Sequence, residues 1–105
     1  GGVRIATGSY TGTGTYGASN PCSLTFNFVP KLVVLSKAST YSTDTSGLLV
    51  MVARSNMALS LDESNQNTNS RISLTWETDS VSWYTASAER QMNTSSRNYH
   101  YVAFG

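Results

Sequence analysis

The sequence predicts an all-β domain, an antiparallel β-sandwich of about six to eight short strands. Three observations carry this prediction. Apolar and polar residues alternate in short segments, as in 22–28, where Cys22, Leu24, Phe26 and Phe28 point inward. Turn-forming residues separate these segments about every eight to twelve residues. Only residues 86–97 contain enough helix-forming residues for a helical turn, and this segment is too short for more.

The predicted strands follow from these patterns in chain order. They cover 3–11, 22–28, 32–35, 48–52, 57–61, 71–77, 80–85 and 98–104. The runs 32–35 and 48–52 are continuously apolar, which is typical of strands covered on both faces. The last strand carries bulky residues on both sides, with His100, Val102 and Phe104 opposite Tyr99 and Tyr101. We therefore expect neighbouring copies of the chain to cover one sheet face.

Composition favours a binding or assembly module. Thirty of the 105 residues are Ser or Thr, thirteen are charged, and the net charge is +1. The seven basic residues are dispersed, which argues against nucleic acid as a partner. No apolar run is long enough for membrane insertion. The length indicates one domain, 1–105, and the single cysteine, Cys22, excludes an internal disulfide, so oligomerisation is the expected source of extra stability.

The usual constellations of catalytic residues are absent from the sequence. One His and one Cys provide neither a catalytic triad nor a zinc site. Glu77 and Asp79 would share one face of a strand, but glycosidase carboxylates normally face each other across a cleft. The glycine-rich loop 12–17 lacks the lysine of a phosphate-binding loop. The acidic segment 62–69 lacks calcium-loop spacing. We predict no enzyme activity, cofactor or metal.

Sugar recognition requires an aromatic face beside fixed hydrogen-bonding groups. The sequence provides aromatic residues next to polar positions three times. Tyr41 lies near Asp44, Trp76 precedes Glu77 and Asp79, and Tyr84 precedes the polar segment 86–97. Core packing or an oligomer interface is the alternative role for each ring.

Three parts of the chain together resemble a known group of proteins. They are Gly8–Gly12 with Leu24–Val34, Thr75–Asp79 with Val81–Trp83, and the terminal Tyr99–Gly105. They resemble the C-terminal receptor-binding domains of phage and prophage tail fibres, many of which end in a similar strand. More distantly, the chain resembles the H-type lectin domain, a trimeric six-stranded β-sandwich that binds sugars of the N-acetylgalactosamine type.

The resemblance implies a homotrimer, a virion or extracellular location, and adhesion to a cell-surface glycan. It implies sugar contacts from Arg54, at the end of a strand, and from Trp76 and the residues after it. Glu77 stands where the lectins often have a histidine, and 84–98 is longer than in the lectins. The predicted sugar-binding residues are Arg54, Trp76, Glu77, Asp79, Tyr84, Tyr41 and Asp44.

Two other functions remain open from the sequence. One is a trimerisation cap or capsid decoration domain without a ligand, and the other is an accessory module of a glycan hydrolase. The chain begins with Gly-Gly-Val and ends directly after a predicted strand. We therefore expect it to be the C-terminal tip of a longer fibre protein.

Overall fold

The structure is a computed structural model that describes residues 2–37, 47–61 and 72–105. It contains eight strands. In chain order they are β1 (Ile5–Thr11), β2 (Cys22–Thr25), β3 (Leu32–Lys37), β4 (Leu48–Val52), β5 (Met57–Leu61), β6 (Ser73–Trp76), β7 (Ser80–Tyr84) and β8 (Asn98–Phe104). The described residues contain no helix, and therefore none that could span a membrane. Residues 86–97 form turns, with one helical bond from Gln91 N to Ser87 O of 3.1 Å.

The strands form two antiparallel sheets. The larger sheet has five strands in the order β1-β8-β3-β4-β5, and the smaller has three in the order β2-β7-β6. Strand β3, the first continuous apolar run, is central in the larger sheet, as predicted. The predicted all-β sandwich is confirmed.

The core lies between the inner faces of the two sheets. The larger sheet contributes Val33, Leu35, Leu49 and Met51, which are fully buried, and the smaller sheet contributes Val81 and Trp83. These residues alternate with more exposed neighbours along each strand, because successive side chains point to opposite sheet faces. On β8, Tyr99 and Ala103 are buried while His100 is exposed, so the predicted sides of this strand are confirmed.

Strand β2 is shorter than its sequence pattern. It ends at Thr25, although the alternation continues to Phe28. Phe26 and Phe28 leave the sheet and stack on each other, with ring centroids 5.5 Å apart. Phe26 also meets the edge of Tyr101 of the other sheet. The apolar pattern therefore predicted the inward position of these two residues correctly. They pack at one end of the sandwich and not within a strand.

The connections divide between the two ends of the sandwich. We call one end the terminal end. It holds residues 26–31, 53–56 and 77–79, joined by backbone bonds from Phe26 N to Asp79 O and from Ala53 N to Lys31 O, and the chain end at Gly105. The opposite end, the loop end, holds residues 12–21 and 85–97, joined by the bond from Gly12 N to Arg97 O.

Candidate functional site

Among the residues that the structure describes, the predicted sugar-binding residues do not form one site. Arg54, Glu77 and Asp79 are exposed at the terminal end. Tyr84 lies at the far end of β7 from Asp79, so the length of a strand separates them. Tyr41 and Asp44 lie outside the described residues.

Trp76 is placed differently from a sugar-stacking residue. It pairs with Val81 on β7, and its half-buried side chain packs against the core. Its indole Nε1 is buried and has no hydrogen-bond acceptor among the described residues. The position of Trp76 therefore agrees better with the core-packing alternative than with sugar stacking.

Glu77 and Asp79 belong to a turn, because β6 ends at Trp76 and β7 begins at Ser80. The turn is closed by the bond from Glu77 N to Ser80 O, of 3.0 Å. Strand alternation does not apply within a turn, so the predicted placement of the two carboxylates on one strand face is not observed. Both side chains are exposed to solvent.

A concave feature lies at the loop end, in the opening between the two sheets. We call it the cleft. Its two walls are β1 and β2, which are edge strands of different sheets. Its volume is about 300 Å³, at the lower limit of ligand pockets, roughly 300–1,000 Å³.

The cleft has an aromatic and apolar floor and a polar rim. Half-buried Tyr10, Cys22 and Leu24 and fully buried Trp83 form the floor. The rim carries exposed hydroxyl and amide side chains, namely Thr11, Thr13, Thr15, Ser23 and Asn20. No lining residue is charged. A neutral ligand with an apolar face and several hydroxyl groups fits this distribution.

Two buried amides hold the rim in place. The Gln91 side chain accepts hydrogen bonds from Gly17 N at 3.1 Å and Thr85 N at 3.0 Å, and donates one to Asn20 O at 2.8 Å. The Asn93 side chain accepts one from Thr13 N and donates to the Thr13 hydroxyl and to Thr15 O, both at 2.9 Å. The side chains of Gln91 and Asn93 thus attach the loop 12–20 to segment 85–97.

Met92 lies between these two amides and has an unusual backbone. Its φ is +60°, and its side chain is fully buried. This conformation costs a non-glycine residue about 1–3 kcal/mol. The backbone here accepts the polar atoms of the aromatic core, since Tyr10 Oη donates to Met92 O at 2.7 Å and Trp83 Nε1 to Gln91 O at 2.9 Å. These bonds offset the strained geometry of Met92, on either side of which the two amides bind the loop 12–20.

Cys22, in the cleft floor, is half-buried. Burial raises the pKa of its thiol, and a hydrogen bond from the Gln91 amide to Sγ, at 3.6 Å, acts in the opposite direction. A raised pKa keeps the sulfur protonated at neutral pH, in contrast to a reactive thiolate. This is the environment that the sequence predicted for a small buried apolar residue.

A second cavity of about 280 Å³ lies at the terminal end. Phe28, Val29 and Gly105 line it, together with the cationic residues Arg4 and Lys31. It lacks the hydroxyl rim of the cleft. Among the described residues, no group of three His, Cys, Asp or Glu residues is arranged to hold a metal ion.

The sequence did not indicate Tyr10, Gln91 and Asn93 as site residues. They are brought together by contacts between residues more than seventy positions apart, such as Gln91 with Gly17. Local patterns do not detect such contacts. The usable signal was weak: an Asn and a Gln flank an apolar Met in 91–93, opposite a loop with threonines at 11, 13 and 15.

Comparison with known proteins adds no relative to this description. No protein-family model, curated protein or solved structure matches the chain. The resemblance to tail-fibre domains and H-type lectins therefore remains a prediction from sequence.

Proposed function

We propose that this chain is a non-enzymatic adhesion domain that binds a neutral cell-surface glycan in the cleft. In the wider setting that the sequence resemblance implies, it is the tip of a phage tail fibre or a similar virion appendage. The observation that carries the proposal is the uncharged cleft with hydroxyl and amide groups on its rim and two aromatic residues in its floor.

The rim chemistry suits a sugar because each hydroxyl both donates and accepts hydrogen bonds. Thr13, Thr15 and Asn20 are exposed at the rim. A ligand with charged groups would find no countercharge there, whereas a neutral saccharide needs none. The proposed ligand is therefore a neutral glycan without charged groups.

The fixed loop also supports the proposal. Asn93 holds Thr13 and Thr15 before any ligand arrives. A rim that is already ordered loses less conformational entropy on binding. A cleft of this size still gives weak single-site affinity, and a millimolar dissociation constant corresponds to only about −4.1 kcal/mol. Useful adhesion then depends on several copies engaging one surface together.

The test is a glycan array probed with the chain displayed multivalently, followed by titration of the best neutral glycan. We expect binding to neutral saccharides among bacterial surface polysaccharides and mucin-type sugars. The variant Thr15→Val removes an exposed hydroxyl of the rim loop at nearly constant volume, and we expect its affinity to fall about 2- to 10-fold, at roughly 0.5–1.5 kcal/mol for the lost bond.

Thr75→Val is the matched control, since Thr75 is an exposed strand residue on the outer face of the smaller sheet. Its affinity should equal that of the wild type. A silent array would contradict glycan binding and favour the structural cap. Binding that survives the cleft variant but is lost in Glu77→Gln/Asp79→Asn would move the site to the β6–β7 turn.

A further inference from the structure

The outer face of the five-stranded sheet is unusual for a surface exposed to water. Strand register brings one residue from each strand into a row across the sheet: Ile5, Phe104, Leu32, Val52 and Met57. All five are apolar. Ile5 is 62% exposed and Met57 is 56% exposed.

The next row continues the apolar surface. Val102, Val34 and Val50 are partners across three adjacent strands, with Thr7 beside them on β1. All three valines are only partly buried. One row further the surface is mixed, because Ser9, His100 and Ser36 are partners and Leu48 pairs with Ser36 on the other side. We call the two apolar rows together the aliphatic face.

The other outer face of the sandwich provides an internal comparison. On the three-stranded sheet, Ser23, Ser82 and Thr75 form one row, Thr25 and Ser80 a second, and Ser73 and Tyr84 a third. Six of these seven residues are Ser or Thr, the seventh is Tyr, and none has a hydrocarbon side chain. The same charge-poor chain thus uses hydroxyl groups on one outer surface and aliphatic groups on the other.

We infer that the aliphatic face is an interface with a second copy of this chain. Val34, Val102 and the first row carry no charge, so an ionic partner gains no attraction there. A partner must instead offer a flat, neutral, apolar surface, and another copy offers one with the same spacing. Self-complementary packing of one patch on itself is the usual basis of symmetric assembly.

The size of the face agrees with this assignment. Five strands spaced about 4.8 Å apart and two rows about 6.8 Å apart make an aliphatic face of roughly 24 by 14 Å, and the row of Ser9, His100 and Ser36 extends it to roughly 24 by 20 Å, or about 500 Å² in projection. Accessible area exceeds projected area because side chains protrude. Small specific interfaces use about 600 Å² per partner, so the aliphatic rows with their polar rim reach the lower range of stable assemblies.

The test is the molar mass of the chain in solution, by sedimentation velocity or light scattering at about 50 µM. We expect two or three times the 11.3 kDa of one chain. Val34→Lys introduces a charge at the centre of the face and should give a single chain. Thr75→Lys places the same residue on the hydroxyl face and should retain the wild-type mass.

A milder variant guards against loss of the fold. Val34→Thr/Val102→Thr retains β-branched side chains of similar volume, and we expect the dissociation constant of the assembly to rise at least tenfold while circular dichroism stays unchanged. A wild-type chain of 11.3 kDa would overturn the inference. So would Val34→Lys with unchanged mass, or Thr75→Lys with an equal loss of mass. These outcomes do not depend on whether the cleft binds a glycan.

Discussion

The side chain of Gln91 is fully buried and uses both polar atoms of its amide. It connects two parts of the chain: the loop that contains Gly17 and Asn20, and Thr85, directly after β7. A buried amide is costly unless it is hydrogen-bonded, and here both atoms are. Together with Asn93, Gln91 therefore holds the cleft rim on the sandwich.

Replacing Gln91 with leucine should destabilise the fold because it leaves two backbone N–H groups and one carbonyl without their partner. Buried polar groups that lose a partner cost about 1–3 kcal/mol each, and partial access of water reduces the sum. We expect the free energy of unfolding to fall by about 2–4 kcal/mol in urea denaturation. Ser95→Ala, in the same segment but exposed, is the control and should change it by less than about 0.5 kcal/mol.

Strand β7 explains why the predicted site separates. Asp79 precedes its first residue and Tyr84 is its last, and five residues of strand extend about 13 Å from the first to the last. In the sequence these two residues lie only five positions apart. Because the backbone of β7 is extended, Asp79 and Tyr84 lie at opposite ends of the sandwich.

The strands themselves were predictable, since each depends on a local apolar pattern, either alternating or continuous. Val81 and Trp83 on β7, and Tyr99 and Ala103 on β8, are buried on the sides that parity indicates. The cleft was not predictable in the same way. Its walls belong to two sheets, and its rim depends on the pairing of Asn93 with Thr13, eighty positions apart. Strand periodicity contains no information about such pairing.

The contact between loops 12–20 and 85–97 also depends on a residue without a side chain. Gly12 donates its N–H to Arg97 O and accepts from Ser96 N. A Cβ at this position would overlap the backbone carbonyl of Thr94. At Gly8, in the middle of β1, a Cβ would meet only the side chain of Tyr101. A side chain at position 12 would therefore have to displace backbone, whereas one at position 8 would have to displace a side chain.

Gly12→Ala should consequently destabilise the fold more than Gly8→Ala does. Backbone cannot rotate away as a side chain can, so we expect a loss of about 3 kcal/mol at Gly12 and about 1 kcal/mol at Gly8. Urea denaturation of the two variants side by side measures the difference. Equal losses, or a larger one at Gly8, would show that the loops adjust more readily than this packing suggests.

At the scale of the whole molecule, the cleft and the aliphatic face differ in their chemistry and in their position. The cleft opens between the edge strands β1 and β2, whereas the aliphatic face lies on the outside of the larger sheet. Copies joined through the aliphatic face would leave every cleft open to solvent. The proposed assembly thus supplies the several binding sites that weak glycan binding requires.

Assembly through the aliphatic face predicts a melting temperature that falls on dilution. A folded dimer is stabilised by mass action, so a hundredfold dilution removes about 2.7 kcal/mol of stability, and a trimer loses about twice as much. With an unfolding entropy of about 2.1 cal/mol/K per residue, the midpoint should fall by about 5–8 °C between 200 and 2 µM. Differential scanning fluorimetry measures this range. Val34→Lys, in which the face carries a charge, should melt at the same temperature at both concentrations. A wild-type midpoint that does not depend on concentration would show that a single chain is stable with its aliphatic face exposed to water.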